Sequence, residues 1–106
     1  HGLNQKPDII ILKNTSATEN WRVYYTIADG THDFTYLNTS GQANHSGYAV
    51  PTTTVFNKAD TDNVDMVAYV WHSVPGYSKM GSYKGNGSAD GTYVPCGFRP
   101  AFVLTK

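Results

Sequence analysis

Turn-forming residues divide this chain into pieces too short for helices. Gly, Pro, Asn and Thr recur throughout the 106 residues, and no segment keeps apolar residues at i, i+3, i+4 and i+7 over three helical turns. The apolar residues instead form short runs rich in β-branched and aromatic side chains, which is the composition of strands. The sequence therefore predicts an all-β protein.

The first three predicted strands carry the clearest local signals. Residues 8–13 form a continuous apolar run of the kind that is buried on both faces of a sheet. Residues 21–28 and 31–38 flank Asp29-Gly30, a dipeptide that favours the type I′ turn of a β-hairpin. The other predicted strands are residues 52–56, 64–73, 77–83, 92–95 and 101–106.

The number and spacing of these strands indicate a fold class. Eight short strands separated by turn signals predict an antiparallel β-sandwich or a barrel-like, jelly-roll-like fold. A length of 106 residues suits one domain spanning residues 1–106. The single cysteine, Cys96, forbids an internal disulfide, so we expect packing alone to stabilise the domain.

Charge excludes some classes of partner. Only 15% of the residues are charged, and eight basic and eight acidic residues cancel to a formal net charge of zero. The basic residues are dispersed and form no stripe, so nucleic acid is not an expected partner. No apolar run is long enough to cross a membrane. A low-charge surface rich in hydroxyl and amide groups is common in extracellular and virion β-proteins.

The two ends of the chain resemble each other. Residues 7–13 read PDIIILK and residues 100–106 read PAFVLTK, an offset of 100 − 7 = 93 residues. Gly followed by a large apolar residue precedes both, as Gly2-Leu3 and as Gly97-Phe98. Two Pro-led strands can look alike by chance. Alternatively, the chain is one unit of a tandem array, whose end strands could pair between neighbours.

Residues 81–91, GSYKGNGSADG, could be a ligand-binding loop or a structural turn. A phosphate-binding P-loop needs Gly-x-x-x-x-Gly-Lys-Ser/Thr before a helix, and this order is absent. Calcium would require more acidic ligands than Asp90. Because Asn86-Gly87 and Asp90-Gly91 are both turn signals, the loop is predicted to be structural, with Asn86 and Asp90 kept as candidate ligand-binding residues.

A second polar stretch, residues 60–65, is acidic and reads DTDNVD. Counted from Asp60, it fails the EF-hand pattern, because the sixth position is Asp65 where Gly is required. Asp60, Asp62 and Asp65 remain weak candidates for a calcium site of another type, against a solvated turn before a strand. Histidine, serine and cysteine motifs of catalysis are also missing, so we predict no catalytic residue and no cofactor.

Aromatic residues make up 13% of the chain. Exposed rings beside Asn and Asp stack sugars in many lectin-like modules, because a ring face complements the C–H face of a pyranose. Tyr24, Tyr36 and Tyr83 are the candidates for such contacts. The alternative is that these tyrosines are half-buried strand residues with solvated hydroxyl groups.

The sequence of residues 76–106, which contains GSYKGNGSADG and GFRPAFVL, resembles a segment that recurs in large virion- or tail-associated proteins of marine tailed phages. PDIIILKN and NWRVYY near the start, and YLNTS, PTTTVF and VAYVW in the middle, are similar to the same β-rich domain. The resemblance implies a virion or extracellular location and an architectural role. It brings no catalytic residue to this chain.

Together these features predict a non-enzymatic structural or assembly module of a phage virion or a similar extracellular assembly. Its expected partners are other copies of itself or neighbouring virion subunits, joined through end-strand pairing. The alternative function is carbohydrate binding, with host-surface glycans as the partner.

Overall fold

The computed structural model describes residues 1–41, 44–45, 47–57 and 64–106 of the chain, and within them the protein is all-β with no helix. The strands form one open antiparallel sheet with the order β4-β3-β2-β1-β5. Their bounds are β1 (Ile9–Asn14), β2 (Arg22–Tyr25), β3 (Asp33–Tyr36), β4 (Asn44–His45) and β5 (Met66–Trp71). The prediction of an all-β antiparallel fold is confirmed.

The connections explain the strand order. Strands β1 to β4 follow one another as neighbours, and β5 then returns across the sheet to pair with β1. A strand that returns beside the first of three consecutive strands is the arrangement of a Greek key, which most β-sandwiches contain. The described residues place these strands in one layer.

Strand β1 lies between β2 and β5 and carries the core. Ile10 lies opposite Tyr24 of β2 on one side and opposite Val70 of β5 on the other. Ile10, Leu12 and Tyr24 are each only 2% exposed and form the buried cluster, against which Phe34, Phe56, Met66 and Val70 pack. We call the side of the sheet that carries these residues the core face.

The opposite side, which we call the outer face, is buried only in its centre. Ile11 and Val23 lie opposite each other there and are both buried. Tyr69 and Trp71 lie on the same face of β5 and are exposed. Residues 8–13 were predicted to be buried on both faces, and the burial of Ile10 and Ile11 on opposite faces confirms this.

The hairpin of β2 and β3 forms, but its turn differs from the prediction. Tyr25 pairs with Asp33, so seven residues connect the strands and Asp29-Gly30 is not a two-residue turn. Gly30 has a φ of 91°, whereas Asp29 does not have the positive φ that a type I′ turn requires. Instead, the Gly30 amide donates to the carbonyl of Thr26 at 3.1 Å, which closes a wider turn.

Four of the eight predicted strands are not strands in the structure. Residues 52–56 form a turn in which the Thr52 amide donates to the carbonyl of Val55 at 2.9 Å. Residues 77–83 contribute only an isolated bridge between Val74 and Ser78. Residues 92–95 and 101–106 lie outside the sheet. These segments have strand-like composition, but no strand in the described part of the chain supplies backbone partners for them.

A buried side chain fixes the end of β1. The Oδ1 atom of Asn14 accepts hydrogen bonds from the amides of Ser16 at 2.8 Å and Ala17 at 3.1 Å. This Asx-type turn directs the chain away from the sheet. Beside it, the Thr15 amide donates to the carbonyl of Asp65 at 2.9 Å, which extends the attachment of β1 to the start of β5.

A pair of matched substitutions tests this description of the core. Leu12 is 2% exposed, whereas Leu104 is 58% exposed. We expect Leu12→Ala to lower the free energy of unfolding by about 2–5 kcal/mol, because the substitution leaves a cavity. Leu104→Ala should change it by less than about 0.5 kcal/mol in the monomer.

Urea denaturation at low protein concentration measures both values. Equal losses in the two variants would contradict the placement of the core on β1.

Candidate functional site

A run of consecutive exposed apolar side chains lies near the end of the chain, in residues 100–106. Phe102 is 80% exposed, Val103 is 68% exposed and Leu104 is 58% exposed. Three consecutive apolar residues in this state are unusual, because scattered single exposures are the norm on a protein surface. We call residues 100–106 the donor segment.

The backbone of the donor segment is also unpaired. Among the described residues, none forms a backbone–backbone hydrogen bond with residues 92–106. Thr105 lies beside Tyr83 and Val94 at a shallow recess, and the Lys106 ammonium donates to the carbonyl oxygen of Thr39. The donor segment therefore touches its own chain while leaving its strand-forming groups open to solvent.

A second apolar surface lies on β5, at the edge of the sheet. The rings of Tyr69 and Trp71 stack with their centroids 6.0 Å apart and an angle of 14° between their planes. They are 44% and 40% exposed, and they lie on the outer face. This pair is not among the candidates that the sequence suggested, although alternation within residues 64–73 puts positions 69 and 71 on one face.

The loop of residues 81–91 is held by its own polar groups. The Asn86 Oδ1 atom accepts from the Ser88 amide at 3.0 Å, and its Nδ2 atom donates to the Gly91 carbonyl at 2.8 Å. The Thr92 hydroxyl donates to the Lys84 carbonyl at 2.7 Å and closes the base of the loop. Both polar atoms of the Asn86 side chain are thus used within the turn.

Glycines provide the backbone geometry of this loop. Gly87 has a φ of 69° and Gly91 a φ of 50°, in the region that side chains disfavour. The prediction that Asn86-Gly87 and Asp90-Gly91 supply positive φ angles is confirmed. Asp90 is exposed, and its amide donates to the Ser88 hydroxyl at 3.2 Å.

Tyr83 and Asn86 lie together at the edge of a recess open to solvent. The recess is lined by Tyr83, Gly85, Asn86, Gly87, Ser88, Gly91, Thr92, Val94 and Thr105. Asp90 is not part of its lining. Tyr83 is 53% exposed, so more than half of the surface of this residue is available for contact.

Tyr36 occupies a different part of the surface. It lines a shallow recess with Thr18, Glu19, Asn20, Arg22 and Asn38. Within this recess the Arg22 guanidinium lies 3.8 Å from the Glu19 carboxylate. The Asn38 side chain accepts from the Trp21 amide at 3.0 Å and donates to Asn20 at 2.9 Å. These contacts tie the start of β2 to the end of β3.

Tyr24, the third candidate tyrosine, is a core residue. Its ring is 2% exposed and packs between His32 at 5.3 Å and Phe34 at 5.8 Å. A sugar could not stack on a ring that the sheet has buried. Tyr24 is buried because it lies on the core face of β2, opposite Ile10 of β1.

The acidic candidates are only partly described. Asp60 and Asp62 lie outside the described residues. Asp65 is exposed. Its backbone carbonyl oxygen accepts hydrogen bonds from the Thr15 amide and from the Thr15 hydroxyl, the latter at 3.0 Å. Within residues 1–41, 47–57 and 64–106, no group of three His, Cys, Asp or Glu side chains has the arrangement of a metal site.

His32 is a buried titratable group beside the core. It is 1% exposed, and burial lowers the pKa of its imidazole below the ordinary value of 6.5. Backbone groups of Tyr48 and Ala49 and the charge of Asp33 act in the opposite direction, and Lys6 acts in the same direction as burial. The neutral imidazole is the form that the fold favours.

The fold and these surfaces define an all-β chain with one open antiparallel sheet and an unpaired apolar segment. In the described part of the chain no helix has the length and apolarity needed to cross a bilayer. Residues 1–106 match the family described as Domain of unknown function (DUF7483), and the chain belongs to this family. No curated protein and no solved structure matches the chain.

The burial of His32 predicts a dependence of stability on pH. A folded-state pKa below the unfolded value gives stability that is complete above about 6.5 and is lost as the pH falls from there towards the folded-state pKa. We expect His32→Phe to remove this part of the acid sensitivity, because Phe keeps a ring beside Tyr24 without a proton to bind.

Urea denaturation of the wild-type protein and the variant between pH 7.5 and pH 5 measures the difference in slope. Identical slopes would contradict the assignment.

Proposed function

We propose that this chain is a non-enzymatic structural or assembly module of a phage virion or a similar extracellular assembly, such as a subunit of a tail, a fibre, a decoration or a filament. One observation carries the proposal. The donor segment, residues 100–106, presents an apolar strand-like sequence whose side chains and backbone are both open to solvent. Pairing with another subunit would satisfy both.

The energetic reason for association is burial of apolar surface. Phe102, Val103 and Leu104 are each more than half exposed. Full burial of one such side chain contributes about 1.5–3 kcal/mol relative to leaving it in water. An exposed strand-like segment also provides a row of amides and carbonyls for a partner sheet. Pairing through end strands is a known mode of recognition between protein chains.

The sequence supports a virion or extracellular location for the protein. Only 15% of the residues are charged, and the polar surface is rich in Asn, Thr, Ser and Tyr. The resemblance of residues 76–106 to a segment of phage virion proteins points to the same setting. The similarity of residues 7–13 and 100–106 supports a tandem array, in which units follow one another along a longer chain.

The same association would complete the predicted β-sandwich or barrel-like fold. The strand order of a Greek key is typical of β-sandwiches, and residues 92–95 and 101–106 have strand-like sequences that pair with no strand among the described residues. We infer that strand pairing between units supplies these partners. A sandwich or barrel-like arrangement of about eight strands would then belong to the assembly.

Carbohydrate binding is a second candidate function. It is favoured by the recess in which the exposed Tyr83 ring lies beside Asn86. An exposed tyrosine suits stacking against a pyranose, and the Asn86 amide has a second N–H and a second lone pair for sugar hydroxyl groups beyond its two bonds within the turn. Host-surface glycans are the ligand class for this candidate.

The assembly function predicts association that depends on concentration. We expect the chain to form dimers or larger species in sedimentation velocity experiments as its concentration is raised. Phe102→Glu should weaken this association roughly tenfold or more, because a charge would enter an apolar contact. Thr53→Glu, at an exposed position in the turn of residues 52–56, is the control and should leave association unchanged. A monomer at every accessible concentration would refute the proposal.

The glycan-binding candidate has a separate test. Wild-type protein, Tyr83→Ala and Tyr77→Ala are applied to an array of bacterial surface glycans. Tyr77 is 81% exposed but does not line the recess, so it controls for loss of an exposed ring. Binding that is lost only in Tyr83→Ala would support the candidate, and an array without hits would refute it.

A further inference from the structure

We propose that the donor segment of one copy pairs antiparallel with the outer edge of β5 in a second copy, with Phe102 opposite Trp71 and Leu104 opposite Tyr69. This inference rests on the assembly function proposed above and names its interface. It concerns a sheet edge, an occupant and a register, each of which follows from a different observation.

The first observation selects the edge. The sheet ends in β4 on one side and in β5 on the other. Strand β4 has two residues, whereas β5 has six. In the described part of the chain, no strand pairs with the outer edge of β5. A segment of about seven residues therefore matches the length of the β5 edge and exceeds that of β4.

The second observation selects the occupant. Residues 100–106 share their pattern with residues 7–13, which include most of β1. Strand β1 already pairs antiparallel with the inner edge of β5, with Ile9 opposite Trp71 and Ile11 opposite Tyr69. A segment with the same pattern thus has the side chains that suit this strand as a neighbour.

The third observation sets the register. Matching Pro100 to Pro7 places Phe102 at the position of Ile9 and Leu104 at that of Ile11. The same pairing on the outer edge puts Phe102 and Leu104 on the outer face, beside the stacked rings of Trp71 and Tyr69. Residues directly opposite in an antiparallel pair lie on the same face of the sheet. Four exposed apolar side chains would then cover one another.

The position of Lys106 favours pairing with a second copy. The Lys106 side chain contacts Thr39, in the connection between β3 and β4. Strands β2 and β1 lie between β3 and β5 in the sheet. The distance from β3 to β5 is therefore three strand spacings, or about 14 Å. The contact with Thr39 places the end of the donor segment away from the β5 edge of its own chain, so we assign the pairing to the β5 edge of a second copy.

Cysteine cross-linking tests the edge and the register together. In a Cys96→Ser background, Trp71→Cys is introduced into one protein and Phe102→Cys into another, and the two are mixed under mild oxidation. Directly opposed positions in an antiparallel pair have Cα atoms about 4.5–5.5 Å apart, which suits a disulfide. We expect the mixed disulfide dimer to be the main product, identified by mass spectrometry.

The matched control shifts the second cysteine by one residue. Val103→Cys replaces Phe102→Cys, and its side chain would point to the other face of the sheet. The yield of mixed dimer should fall about tenfold, because cysteines whose Cβ vectors point apart do not bridge. Equal yields for positions 102 and 103 would overturn the register.

Two further outcomes separate this inference from the assembly function. In the first outcome, Phe102→Glu weakens association but no cross-link forms to position 71. This result would support the assembly function and overturn the assignment of the β5 edge as the interface. A disulfide that forms within one chain carrying both Trp71→Cys and Phe102→Cys, at dilutions where the protein is monomeric, would overturn the role of a second copy.

Discussion

The pairing of β1 with two neighbours is the interaction on which the rest of the structure depends. Ile10 contributes to the core face and Ile11 to the outer face, so this one strand is buried on both sides. Strand β5 returns across the sheet to pair with the second edge of β1, so side chains of neighbouring strands flank β1 on both of its edges. The Asn14 turn and the Thr15–Asp65 hydrogen bond then hold the entry to β5 beside the end of β1.

The sequence predicts those parts of the structure that local pattern determines. The apolar run of β1, the alternation in β5 and the positive φ angles at Gly87 and Gly91 can be read directly, because each depends on neighbouring residues. The pairing of β5 with β1 depends on residues more than 50 positions apart, and local pattern does not encode it. Strand-like composition at residues 101–106 gave a strand prediction, although a strand also needs a partner.

In the candidate site, too, the sequence predicts features set by neighbouring residues and misses features set by distant contacts. The sequence identified Asn86 as a turn residue, and its side-chain hydrogen bonds lie within the turn. It did not distinguish Tyr24, which the core buries, from Tyr83, whose ring is open to solvent. The two tyrosines are of one residue type, and only the packing of distant segments makes one a core residue and the other a surface residue. The Tyr69–Trp71 stack was missed for a related reason, because exposure depends on which edge of the sheet remains uncovered.

The donor segment and the β5 edge are different surfaces of one chain. Contacts between unlike surfaces are heterologous, so two copies joined in this way leave one donor segment and one edge unused. An assembly built from such contacts has polarity, with distinguishable ends. It grows until the rotation between units closes a ring, or until a different protein occupies one of the ends. The length of the polymer would then be set by whichever subunit acts as its cap.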